Sequence, residues 1–169
     1  DLVAYLKKNP DKATFASSGA GTSTHLAGEL FGDLAGIKLT HIPYKGTPQA
    51  FTDVVGGQVT FMFDQLTAGL PLVKGGKLKI LALTGKARHP KFPDVPTFAE
   101  AGITQYSPTA WIGLFAPAGT PRPVIDKLSA AMQKASTQNP ALVEKWQSYG
   151  GELKTMTPEA FAAFLKEDH

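Results

Sequence analysis

The stretch FASSGAGTSTHLAGEL, residues 15–30, decides how the chain is read. A short apolar run stops at two serines, two glycines and a run of small hydroxyl residues follow, and a helical pattern then begins. A helix start offers unpaired N–H groups and about half a positive charge. Gly19 and Gly21 let the backbone approach a ligand closely, and Thr22, Ser23 and Thr24 add hydroxyls. Together these features describe a cradle for a carboxylate or phosphate, with no reactive group in it. The plainer alternative is that the hydroxyls only cap the helix and the glycines only turn the chain.

Three better-known loops fail on this stretch. A phosphate P-loop needs a Lys after its last glycine, and Thr22 follows Gly21. A dinucleotide fingerprint needs a third glycine where Thr24 stands and an acid at the end of the second strand, which instead reads HIPYKG. A nucleophile elbow needs GxSxG, and Ser17, Ser18 and Ser23 all lack that frame.

Working outward, DLVAYLKKNP reads as a helix stopped by Pro10. Residues 13–17 read as a buried strand. The next helix, TSTHLAGELFGDLAG, has Leu26, Leu30, Phe31 and Leu34 at helical spacing and Gly36 near its C-terminus. A strand over 38–44, a helix from Thr47 with Pro48 in its first turn, and a strand over 58–64 follow. Residues 66–76 read as helix or turn and 77–85 as a fourth strand. This β-α-β-α-β-α-β order predicts an α/β fold, a mostly parallel sheet flanked by helices. Ligands in such sheets bind beyond the carboxyl ends of the strands, so the loops after Ser17, Tyr44 and Asp64 should share one rim. The pattern then changes: a Pro-rich segment ends in a short helix, an apolar strand spans 109–121, and two helices, a short strand at ELKTM and a final helix capped by Thr157 follow. The tail has no sheet of its own, which divides the chain into a ligand-binding lobe over 1–108 and a returning strand and helices over 109–169.

Composition agrees with a globular protein: 43% of residues are hydrophobic, 18% are charged, and the formal net charge is +3. The basic residues are scattered, so no nucleic-acid patch forms. With no cysteine there are no disulfides, thiolate metal ligands or thiol nucleophiles. No apolar run approaches the ~20 residues of a membrane span, and no signal peptide stands at the start. Both ends fall within helical patterns, the reading expected of a fragment.

Other rim residues have two readings each. His25, on the first helical turn, donates to an anion or bonds a neighbouring loop; the positive helix end favours the structural role. Lys45 pairs with the anion or is solvated. Gly46 and Thr47 repeat the amide-donor logic at the second helix start. Tyr44 contacts a ligand or packs on its loop. Asp64 accepts from ligand hydroxyls, amines or water, or caps the following helix. Phe61, Met62, Phe63, Trp111, Phe115 and Trp146 are expected in core packing. His41 and His89 stand isolated in the sequence, no acid pair suits general acid–base work, and no cluster has metal spacing.

Five segments carry a family resemblance: FASSGAGTSTHLAGELF (15–31), HIPYKGTPQAFTDVVGGQV (41–59), FMFDQL (61–66), GKLKILALTGKARHPKFPDVPTFAEAG (76–102) and WIGLFAPAGTPRPVIDKL (111–128). In order along the whole chain, they resemble the solute receptors of tripartite tricarboxylate transporters, the Bug-type periplasmic binding proteins. The resemblance implies a type II binding-protein clamshell in the periplasm. It implies a small carboxylate held between two lobes and passed to a membrane permease, without catalysis or cofactor. Ser18, Gly19, Ala20, Gly21, Thr22, Ser23, Thr24 and His25 would form the second-lobe carboxylate loop, with Tyr44, Gly46 and Asp64 on the same cleft. The family's N-terminal lobe begins with its own Pro/Gly-rich anion loop, which this chain lacks. The resemblance therefore implies half a binding site, with lobe I as the missing partner. The competing readings are an α/β enzyme acting on a small anionic substrate and an interaction module that swaps its tail into a dimer.

Overall fold

The computed structural model describes residues 2–106, 108, 111–148 and 153–168. It divides into two compact units, 1–111 and 112–169.

The first unit holds a three-stranded sheet. Helix α1 (Leu2–Lys8) leads to β1 (Thr14–Ser17), then α2 (Ser23–Ala35), β2 (Thr40–Pro43), α3 (Thr47–Val55), β3 (Phe61–Met62) and α4 (Leu66–Lys74). The strand order is β2-β1-β3, and both pairings are parallel. The chain steps to one side of β1 and then crosses back to the other. With right-handed crossovers, that reversal sends the two connecting helices to opposite faces. The packing agrees. Phe15 and Phe61 of the sheet pack with Phe31 of α2 on one face, and Ala16 and Met62 pack with Ala50 of α3 on the other.

Helix α2 sits on the sheet through its small residues. Thr24, Gly28, Phe31 and Gly32 are its buried positions. A Cβ on Gly28 would lie 2.1 Å from the Phe15 ring, so only glycine permits this approach. The expected leucine face turns outward instead: Leu26 is 60% exposed, and Leu30 and Leu34 are exposed as well. A ring cluster of Phe31, Phe61, Phe63, Phe98 and Tyr106 fills the space that leucines would have needed. Gly36 ends α2 in the left-handed conformation, φ 61°, where glycine carries no steric penalty.

Several expected elements differ. The strands expected over 38–44 and 58–64 shorten to Thr40–Pro43 and Phe61–Met62. Residues 77–85 form no strand; Leu83 makes a single bridge, to Thr97 in parallel, with its N–H on the Pro96 carbonyl and its carbonyl on the Phe98 N–H, while the Lys77 and Leu78 N–H groups turn back to the Leu72 carbonyl. A strand is defined by its ladder, and one bridge does not make one. Turns replace the short helix expected before Gly102. Trp111–Pro117 and Leu153–Met156 are irregular rather than strands, and Thr109, Ala110 and Glu152 lie outside the described residues.

The second unit contains α5 (Arg122–Gln138), α6 (Pro140–Ser148) and α7 (Pro158–Asp168). Thr157 accepts the Ala160 N–H on its hydroxyl, the expected N-cap of α7. None of the described residues of this unit is buried. Phe115, expected in the core, is 65% exposed, and Trp111, at the end of the first unit, is 41% exposed. Among the described residues no helix is long and apolar enough to cross a membrane.

Candidate functional site

The carboxyl ends of the strands carry the candidate residues. The register pairs Ser17 with Pro43, and the Tyr44 N–H donates to the Ser17 carbonyl at 3.1 Å. The loops after β1 and β2 therefore leave the sheet side by side. Gly19, with φ 142°, lies against the Tyr44 carbonyl; a Cβ there would sit 3.5 Å from that oxygen. Asp64 follows β3 on the other side of β1, at the point where strand order reverses.

The loop's hydroxyls bond to one another and to the loop, and leave the helix start open. The Ser18 N–H donates to the Thr24 hydroxyl at 3.0 Å, which also meets the Ser18 and Thr22 hydroxyls. Thr22 is the N-cap, yet its hydroxyl donates back to the Gly19 carbonyl at 2.7 Å and caps no amide. The Gly21 N–H donates to His25 Nδ1 at 3.1 Å. Among the described residues, no hydrogen bond engages the N–H groups of Ala20, Ser23 or Thr24. Three amides thus remain available at the positive end of α2, where an anion is favoured.

His25 is drawn into the protein. It accepts from Gly21, faces Glu29 at 3.4 Å and stacks on His41 with ring centroids 3.9 Å apart. His41, isolated in sequence, is central here. Its Nε2 lies 2.6 Å from Ser17 Oγ, and its ring stacks on Phe15. Burial, then the neighbouring His25, lower its pKa below the ordinary 6.5, with Glu29 opposing. Alternation in KLTHIPY puts His41 on the same sheet face as Phe15, the one signal that would have found it.

A serine and a histidine this close suggest nucleophile and base. The surroundings forbid it. Ser17 is 0% exposed, it accepts the Gly19 N–H, and it reaches the Gly19 carbonyl at 3.1 Å. Its oxygen is enclosed by the loop and presents nothing to a substrate.

The second loop contributes a helix start and one anchor. Gly46, with φ 139°, is the N-cap of α3. The Tyr44 hydroxyl donates to Asp53 at 2.6 Å, and that carboxylate holds the phenol above its ordinary 10. Lys45 is exposed. Asp64 Oδ1 accepts the Gln65 N–H at 2.8 Å, whereas Oδ2 is buried without a hydrogen-bonding partner. Burial raises the Asp64 pKa; the Gln65 amide and the Thr47 hydroxyl hold the rise back. Among the described residues no cluster could hold a metal ion.

Comparison with known proteins gives this geometry its context. The chain spans about half the length of the curated relatives it matches. Among solved structures it is similar to the periplasmic binding protein BugD, at 39% identity and TM-score 0.92 over 98% of this chain and 56% of that one. It is also similar to a Rhodopseudomonas palustris protein, MatC, solved with bound malate, at 34% identity and TM-score 0.83 over 90% of this chain and 51% of that one. A further R. palustris protein, solved with adipate, matches at 30% identity and TM-score 0.91 over 98% of this chain and 55% of that one. The family profile described as tripartite tricarboxylate transporter family receptor matches residues 1–169, and the chain belongs to that family.

Proposed function

We propose that this chain is one jaw of a solute-binding receptor for a small organic acid, most simply a dicarboxylate, which it holds without reacting. The observation that carries the reading is the trio of unpaired amides, Ala20, Ser23 and Thr24, at the start of α2. They form the carboxylate contact, with Gly46 at the neighbouring helix start. Ser18, Thr22 and Thr24 hold the loop by their hydroxyls, Gly19 and Gly21 give it its turns, and His25 and Tyr44 brace it from behind. Asp64, on the same rim, accepts from a ligand hydroxyl or amine, or from an ordered water. Malate and adipate, held by two similar proteins, are both α,ω-diacids and support the ligand class.

Magnitudes require a second jaw. One helix end stabilises an anion by about 0.3–1 kcal/mol at an exposed site. Micromolar affinity needs about 8 kcal/mol. The remainder comes from a lobe beyond these residues closing over the ligand. In this reading residues 1–108 form lobe II and 109–169 return toward lobe I, whose surface covers the unburied apolar residues of the second unit. The receptor works in the periplasm, where similar proteins such as BugD reside, and delivers its ligand to a membrane permease.

Thermal-shift and calorimetric titration of the complete receptor with malate, adipate and citrate test this, alongside the 169-residue chain. The expected result is saturable stabilisation of the receptor by at least one acid and binding at least a hundredfold weaker by the chain. Equal affinity would overturn the half-site, and turnover without saturable stabilisation would favour an enzyme.

A further inference from the structure

Two stacked imidazoles stand directly behind the anion loop, and each holds one end of it. His41 contacts the Ser17 hydroxyl at 2.6 Å, and Ser17 binds both the N–H and the carbonyl of Gly19. His25 accepts the Gly21 N–H on Nδ1 at 3.1 Å. Only Ala20 separates those two glycines. We propose that the stacked His25–His41 pair positions the carboxylate loop, and that a proton on His25 Nδ1 releases it.

The chemistry follows from the donor count. An imidazole that accepts on Nδ1 carries its proton on Nε2, which here faces Glu29 Oε1 at 3.4 Å. A second proton turns Nδ1 from acceptor to donor. Two donors then face each other at 3.1 Å, and the Gly21 N–H must leave. The new charge also lies against the His41 ring, at a centroid distance of 3.9 Å, and opposes protonation there. Glu29 compensates one charge, so the imidazolium adds little pull on an anion while the loop loses its anchor. The groups facing His25 are Glu29 from its own helix, His41 from β2, the Phe15 ring from β1 and the Gly21 amide. His41 is the second imidazole in direct contact with His25, so the device is a coupled pair of rings, not a single group. It rests on reading the loop as the carboxylate cradle, and its test needs no ligand.

The test is nitrogen-15 NMR of the histidine rings and the Gly21 amide, from about pH 8 to about pH 5 across the imidazole range. His25 should show the Nε2–H tautomer at high pH. The Gly21 amide should shift as His25 titrates, and its hydrogen exchange, corrected for intrinsic pH dependence, should rise about fivefold, the scale of one lost hydrogen bond. His25→Asn keeps an acceptor near the Nδ1 position without a titratable group: Gly21 should stay protected and lose its pH response. His25→Phe keeps the ring and loses the acceptor: Gly21 should be unprotected at every pH. If His25→Phe does not fold, the wild type and His25→Asn decide the question. An Nδ1–H tautomer, or a Gly21 titration that survives in His25→Asn, would overturn the proposal while leaving the carboxylate reading intact.

Discussion

The two units of this chain are built from similar ingredients and reach opposite outcomes. The first surrounds a parallel sheet and buries Leu6, Phe15, Phe31, Phe61 and Tyr106. The second forms three helices, yet none of its described residues is buried, and Ile112, Leu114, Val124, Leu128 and Met132 all stay exposed. Val124, Leu128 and Met132 recur every four residues along α5, a stripe that a buried helix face would show. What ties α5 to α7 includes the ion pair of Arg122 with Glu159, and Arg122 also pairs with Asp126 one turn along α5, all between exposed side chains. Exposed pairs of this kind contribute about 0–1 kcal/mol. The lesson is that a helical pattern specifies a helix, whereas a core needs an opposing surface, and only the first unit carries both.

The first unit is most vulnerable at Phe15. It is fully buried at the centre of the first unit, touching His41, Phe61 and the α2 glycine. Phe15→Ala should cost about 3–5 kcal/mol, enough to unfold a marginal domain, read as loss of the denaturant transition. Gly28→Ala probes the same contact from the other side. The added methyl cannot fit 2.1 Å from the ring, so α2 must shift, at a cost of about 1–3 kcal/mol. A smaller effect, with a pH signature, belongs to Asp64. Its folded pKa lies above the ordinary 3.8, so between the two values the folded state holds a proton that the unfolded chain has released. Stability therefore falls as pH rises through that window and stays lower above it. Asp64→Asn should raise stability near neutral pH by about 1 kcal/mol or less, and the gain should disappear in melts below about pH 4. The smallest effect is expected in the second unit. Leu128→Ser should change the chain's stability by no more than about 0.5 kcal/mol. The same substitution in the complete receptor should cost at least about 1.5 kcal/mol, if lobe I covers the stripe. Equal small effects in both settings would remove the argument for that cover.

The sequence made the order of elements legible in the first unit because hydrophobic period and glycine punctuation are local signals. It marked the rim too: Ser18 to His25, Tyr44 and Gly46 all lie where strands β1 and β2 end. It could not reveal which hydroxyl bonds to what, since Thr22 turning back to Gly19 instead of capping α2 is settled by loop geometry. His41 escaped notice because its partner, His25, lies on another element, and stacking is a tertiary fact. The leucines of α2 misled because helical spacing says which residues share a face, not which face is covered. Residues 77–85 misled for the related reason that a strand pattern cannot supply its own neighbour.

The most direct measurement is an amide-resolved NMR titration of this chain with malate, paired with the same titration using the uncharged diamide of malate. Malate should perturb the Ala20, Ser23 and Thr24 amides first, with weak saturation, and the diamide should leave them unmoved. Shifts that follow the diamide equally, or that gather on the second unit while those three amides stay still, would contradict it.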